Sequence, residues 1–95
     1  MKIYVKSNFV VPGLDNGESV DLDQSRLTIR EFLEELSGRS PIRVEYIRSG
    51  TQTINPEEWE IKINDIPYHQ CGMGLETSLK DGDTVTIIII PLGGG

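Results

Sequence analysis

The stretch "LKDGDTVTIIII", residues 79–90, carries the strongest statement of architecture in the chain. Its first part closes a short turn on Asp81-Gly82-Asp83, residues that favour tight backbone reversals. From Thr84 on the chain is strongly β-branched and ends in four successive isoleucines, Ile87–Ile90. Such a run reads as a strand largely covered on both faces, because left exposed it would be an aggregation hazard. It is best read as a central strand, over residues 84–90.

At the other end of the chain, "KIYVKSNFVV" (2–11) begins with the period of a half-buried strand, Ile3 and Val5 on one face and Lys2, Tyr4 and Lys6 on the other. "PGLDNG" (12–17) is dense in turn formers, and its Asn16-Gly17 is a favoured hairpin dipeptide. "ESVDLD" (18–23) then places Val20 and Leu22 on one face, so the chain opens as a β-hairpin. "LTIREFLEELSG" (27–38) carries a helix start. Thr28 and Glu31 have the spacing of a capping box, with Leu27 and Phe32 as a hydrophobic staple around it. Ile29, Phe32, Leu33 and Leu36 recur on one stripe, and Gly38 suits the left-handed residue that closes many helices. An amphipathic helix is expected over Ile29–Ser37.

Residues 39–58 are less defined. "IRVEYIRS" reads as a strand or a short helix, and "GTQTINPEE" as a loop. "WEIKIN" (59–64) alternates, Trp59, Ile61 and Ile63 opposite Glu60, Lys62 and Asn64. "NDIPYHQCGMG" (64–74) has too many turn residues for a long strand. Hairpin, helix, one or two strands, turn and central strand make an α+β domain. Their order is that of a β-grasp, with a mixed four- to five-stranded sheet packed on one amphipathic helix. The domain is assigned to residues 1–90 and a flexible glycine tail to 91–95.

The chain has 95 residues and a formal charge of −6, and its Lys and Arg are scattered apart from a loose group at Arg39, Arg43 and Arg48. Nucleic-acid binding needs a basic footprint, so neither a nucleic acid nor an anionic membrane is an expected partner. No stretch approaches the ~20 apolar residues that span a bilayer, and Lys6, Ser7 and Asn8 interrupt any apolar core of a signal peptide. The expected location is cytoplasmic. His69 and Cys71 are the only histidine and cysteine, too few for a structural zinc site. "GMG" (72–74) lacks the lysine and the strand-to-helix setting of a phosphate loop. Glu31, Glu34 and Glu35 read as a solvated helix face, and Trp59 and Tyr4 as sheet residues. No catalytic side chain, resident cofactor or metal is expected; on its side chains the protein does not read as a free-standing enzyme.

That leaves "PLGGG" (91–95). Pro91 has no N–H for a ladder and directs the chain out of the sheet. These five residues extend about 17 Å at ~3.4 Å each. Glycines cost the most entropy to order and bury no side chain, so as scaffolding the segment is useless. As a substrate it makes sense: a glycine chain passes a channel too narrow for any Cβ and leaves its carbonyl open to attack.

"LKDGDTVTIIIIPLGGG", with the opening hairpin and "LTIREFLEEL", resembles the ubiquitin-like β-grasp sulfur carriers, the MoaD/ThiS family that includes the small subunit of molybdopterin synthase. The resemblance implies that the carboxylate of Gly95 is adenylated by a ubiquitin-activating-type adenylyltransferase using ATP and Mg²⁺. Sulfur from a persulfide protein then displaces AMP to leave a thiocarboxylate. It further implies that Pro91, Leu92, Gly93 and Gly94 form the arm inserted into partners, among them a synthase large subunit. The family ends in two glycines and this chain in three, so trimming would move the site to Gly94. The product could be molybdopterin, its tungsten equivalent, thiamine or another thio-compound. The same tail serves a small protein modifier joined to lysines, and a β-grasp binding domain with an incidental tail is the reading from another class.

Overall fold

The structure is a computed structural model, and it describes residues 1–8, 11, 19–40, 46 and 58–90. Its strands are β1 (Lys2–Ser7), β2 (Ser19–Asp21), β3 (Leu27–Thr28), β4 (Trp59–Ile63), β5 (Ile66–Pro67), β6 (Ser78–Leu79) and β7 (Thr84–Ile89), with one helix, α1 (Ile29–Arg39), and short 3-10 turns at Tyr68–Gln70 and Gly74–Glu76. Five strands make one mixed sheet in the order β2-β1-β7-β4-β5. β7 runs parallel to β1 (Val5 beside Val85) and antiparallel to β4 (Ile61 beside Ile87), so the isoleucine strand is central. With α1 packed on one face, this is the ubiquitin-like β-grasp arrangement.

β1 and β2 pair antiparallel, Ile3 opposite Val20; the expected Asn16-Gly17 turn between them lies outside the described residues. Ile3, Val5 and Val20 are buried and Lys2, Tyr4 and Lys6 exposed, as the alternation requires. The hairpin of β4 and β5 turns on Asn64 (φ 51°) and Asp65 (φ 70°). Successive positive φ is the demand of a two-residue primed turn, and Asn and Asp tolerate it best among residues with a side chain. Pro67 takes the edge, where its missing donor is not needed.

The helix start forms as its sequence dictates. Thr28 Oγ1 accepts from the Glu31 N–H (3.2 Å), and Glu31 Oε1 accepts from the Thr28 N–H (3.0 Å). Such a cap contributes about 1 kcal/mol, less than the ~1.5–3 kcal/mol from burying any one of its large apolar side chains. Ile29, Phe32, Leu33 and Leu36 are all fully buried, against Ile3, Val5, Ile61, Val85 and Ile87 of the sheet. β3 and β6 form a small second sheet beneath the start of the helix, Leu27 opposite Leu79, and Arg30 pairs with Glu76 at 2.6 Å.

Two expectations are corrected. Gly38 does not end the helix, which continues to Arg39 and is capped by Ser40 at φ −72° and ψ 133°. The residue before a proline is pushed out of the helical region, and Pro41 follows Ser40. The isoleucine run is also not covered on both faces: Ile87 is buried, Ile88 and Ile90 are half-buried, and Ile89 is 42% exposed. Ile89 lies on the same strand face as the buried Val85 and Ile87, and the run thus passes from buried to exposed along that face. The strand-or-helix reading of "IRVEYIRS" lies outside the described residues except for Tyr46. That residue is buried, its ring edge-on to Trp59 with centroids 4.9 Å apart, and burial raises its hydroxyl pKa.

Candidate functional site

Gly95, Gly94, Gly93, Leu92 and Pro91, the residues singled out from the sequence, lie outside the described residues. The strand that leads to them is described to Ile90. Its end is held from both sides. On the β4 side, the Ile90 N–H donates to Glu58 O at 2.8 Å. On the β1 side, the main-chain pairing among the described residues runs to Ser7 opposite Ile87, and the Asn8 side chain follows. Asn8 Nδ2 donates to Ile89 O and Asn8 Oδ1 accepts from the Ile89 N–H, both at 2.9 Å.

Beside Ile90 lies a groove of about 250 Å³, walled by Trp59, Glu60 and Ile61 of β4 and by Pro67, Tyr68 and His69. Among the described residues α1 packs on one face of the sheet; the other, open face carries Lys2, Tyr4 and Lys6 from β1, Thr84, Thr86 and Ile88 from β7 and Glu60 and Lys62 from β4, of which Lys2, Tyr4, Lys6 and Glu60 are exposed and the rest half-buried. Lys62 contacts Glu60 at 3.6 Å, and the Lys2 ammonium stands 5.4 Å from the centre of the Tyr4 ring.

Among the described residues, the side chains around this end assemble no acid–base or nucleophilic set. The His69 ring stands edge-on to Tyr68, with centroids 5.6 Å apart. The half-buried Cys71 thiol donates to Pro67 O at 3.4 Å. Among the described residues no group of three or more His, Cys, Asp or Glu could hold a metal ion, and no helix is long and apolar enough to cross a membrane. Of the helix carboxylates, Glu31 is spent on the cap and Glu35 pairs with Arg39 at 3.3 Å.

Sequence reasoning overlooked Asn8 and Tyr46. The only signal for Asn8 is an amide-bearing residue just past a strand's alternation. Its partner is 81 positions away, so the contact itself was not readable locally. A model of the ThiS family matches residues 11–95. No curated protein and no solved structure matches the chain significantly.

Proposed function

Since this chain belongs to the ThiS family, whose members are small sulfur carriers and not catalysts, we propose that it carries sulfur as a thiocarboxylate on the carboxyl group of Gly95. The observation that carries this reading is the family match running through β7 to the final glycines. In the proposed cycle the Gly95 carboxylate attacks the α-phosphorus of Mg-bound ATP on a ubiquitin-activating-type partner, and pyrophosphate leaves. The terminal sulfur of a persulfide then attacks the acyl carbon, the bond to the AMP oxygen breaks, and AMP departs. A thiol cleaves the resulting S–S bond, leaving the thiocarboxylate on the carrier and a disulfide on the donor. The sulfur is finally handed over inside a synthase large subunit, for a molybdopterin-type or thiamine-type product.

In this scheme the protein's own contribution is presentation. Pro91, Leu92, Gly93 and Gly94 form the arm, and without Cβ atoms the glycines pass a narrow channel and leave the terminal carbonyl accessible. Lys2, Lys6, Lys62 and Ile88 on the open face provide docking surface. The test is reconstitution with the adenylyltransferase of the same cells, ATP, Mg²⁺ and a persulfide donor. Full-length protein is expected to gain the mass of sulfur in place of oxygen on its last peptide. The form lacking Gly94 and Gly95 is expected to keep its fold and gain nothing. Equal labelling of both forms, or labelling of neither, contradicts the proposal.

A further inference from the structure

The Asn8 contact is not an ordinary surface hydrogen bond. A carboxamide has the donor and acceptor of a peptide group, and Asn8 turns both toward the one residue, Ile89, at 2.9 Å each. In the parallel ladder of β1 and β7 the main chain of β1 does this work up to Ser7. Next along the chain, the side chain of Asn8 presents a donor and an acceptor to Ile89 as a peptide group would. With Glu58 O bound to the Ile90 N–H on the opposite side, the last residues before Pro91 are held across both edges.

A second asparagine makes the contrast. Asn64 acts at the other end of the same strand, its Oδ1 accepting from the Thr84 N–H and its Nδ2 donating to Asp83 Oδ1, both at 3.0 Å. Each side chain closes one end of β7, but only Asn8 sits where the glycine arm begins.

We infer that Asn8 is a positioning residue for the tail: by pinning the Ile89 peptide groups it fixes the point and direction from which Pro91–Gly95 reach a partner's active site. This rests on the carrier reading. Asn8 touches no reacting atom. It narrows the volume that the terminal carboxylate explores, and a displacement of about 1 Å at a reacting group can cost about 100-fold in rate. Docking through the open face does not involve it.

The experiment compares Asn8→Ala, Asn8→Asp and Asn64→Ala with the unaltered full chain in ATP–pyrophosphate exchange catalysed by the adenylyltransferase of the same cells. Exchange is measured as a function of carrier concentration, well below each variant's melting temperature. Asn8→Ala is expected to lower kcat about tenfold or more with KM within about twofold. Asn8→Asp keeps an acceptor for the Ile89 N–H but offers no donor to Ile89 O, and is expected to fall between. Asn64→Ala is expected to lose thermal stability with kcat and KM unchanged. Amide exchange on the isolated carrier supplies the structural arm, where Asn8→Ala should speed exchange at Ile89 and Ile90 and leave Ile87 protected. Unchanged kcat for Asn8→Ala, loss of kcat in Asn8→Ala and Asn64→Ala alike, or unaltered exchange at Ile89 overturns the inference. If the unaltered chain supports no pyrophosphate exchange, the carrier reading fails instead, and amide exchange alone decides whether Asn8 holds Ile89.

Discussion

The two ends of β7 are built differently. At its start the turn before the strand is tied to both neighbours. The Lys2 N–H donates to Asp81 Oδ1 (2.7 Å), the Gly82 N–H to Lys2 O (2.8 Å) and the Tyr4 N–H to Asp83 O (2.9 Å), while the Asn64 N–H donates to Thr84 O (2.8 Å). Asp83 Oδ2 also accepts from the Lys80 N–H at 2.8 Å, closing the turn on itself. At the far end, among the described residues, the ladder with β4 runs on to Trp59 opposite Ile89, Asn8 and Glu58 add their bonds to Ile89 and Ile90, and the strand's apolar side chains stand partly in solvent. The difference is instructive. In the proposed role, the end offered to partners is the one whose described apolar side chains stand partly in solvent, while the turn at the opposite end of the strand is tied down.

The contrast between the two ends is challenged most severely by one residue type at two places on the strand. Ile87→Ala empties a fully buried site under α1 and is expected to cost about 2–5 kcal/mol in urea unfolding. Ile89→Ala, two residues on and 42% exposed, is expected to cost about 0.5 kcal/mol or less. Equal losses would mean that the far end is as much a part of the core as the near one.

Next in size, Asp83→Ala removes the acceptor of the Asn64 Nδ2 and Lys80 N–H bonds at the anchored end. A loss of about 1–2 kcal/mol is expected by the same measurement. No measurable loss would deny that this turn is an anchor.

The smallest effect tests the helix that covers one face of β7. Gly38 lies inside α1, and a Cβ there would meet nothing within 4 Å. Gly38→Ala is expected to stabilise by about 0.5 kcal/mol. Were Gly38 the left-handed cap its position in the sequence suggests, the same change would destabilise.

The features legible in the sequence were those that short-range chemistry determines. Thr28 and Glu31 announce the helix start because both halves of the capping box lie within three residues. β-branched residues and the Asp-Gly-Asp turn identify the central strand, and the alternation in β1 and β4 identifies their buried faces. The helix end was misread because the stop comes from Pro41 acting on Ser40, with Gly38 passed over. The coverage of the isoleucines was misread for a different reason. A run of apolar residues does not reveal how far the cover over its strand extends, and Ile89 stands 42% exposed on the face that buries Val85 and Ile87. Asn8 and Tyr46 act on residues distant in the chain, so no local pattern exposes them. The proposed site is a motif, the glycines after β7, which lie outside the described residues; a main-chain carboxyl group needs no folded constellation to be singled out, so the proposal rests on the sequence and the family match.

In the proposed role β7 delivers a carboxyl group to be loaded with sulfur, and the sulfur itself can be weighed. Mass spectrometry of the C-terminal peptide does so, on protein recovered from its own cells in the presence of the persulfide donor and without strong reductant or alkali. A peptide ending at Gly95, or at Gly94 after trimming, with one oxygen replaced by sulfur is the predicted result. That peptide found joined only to lysines of other proteins, with no sulfur-bearing form in any fraction, would contradict it.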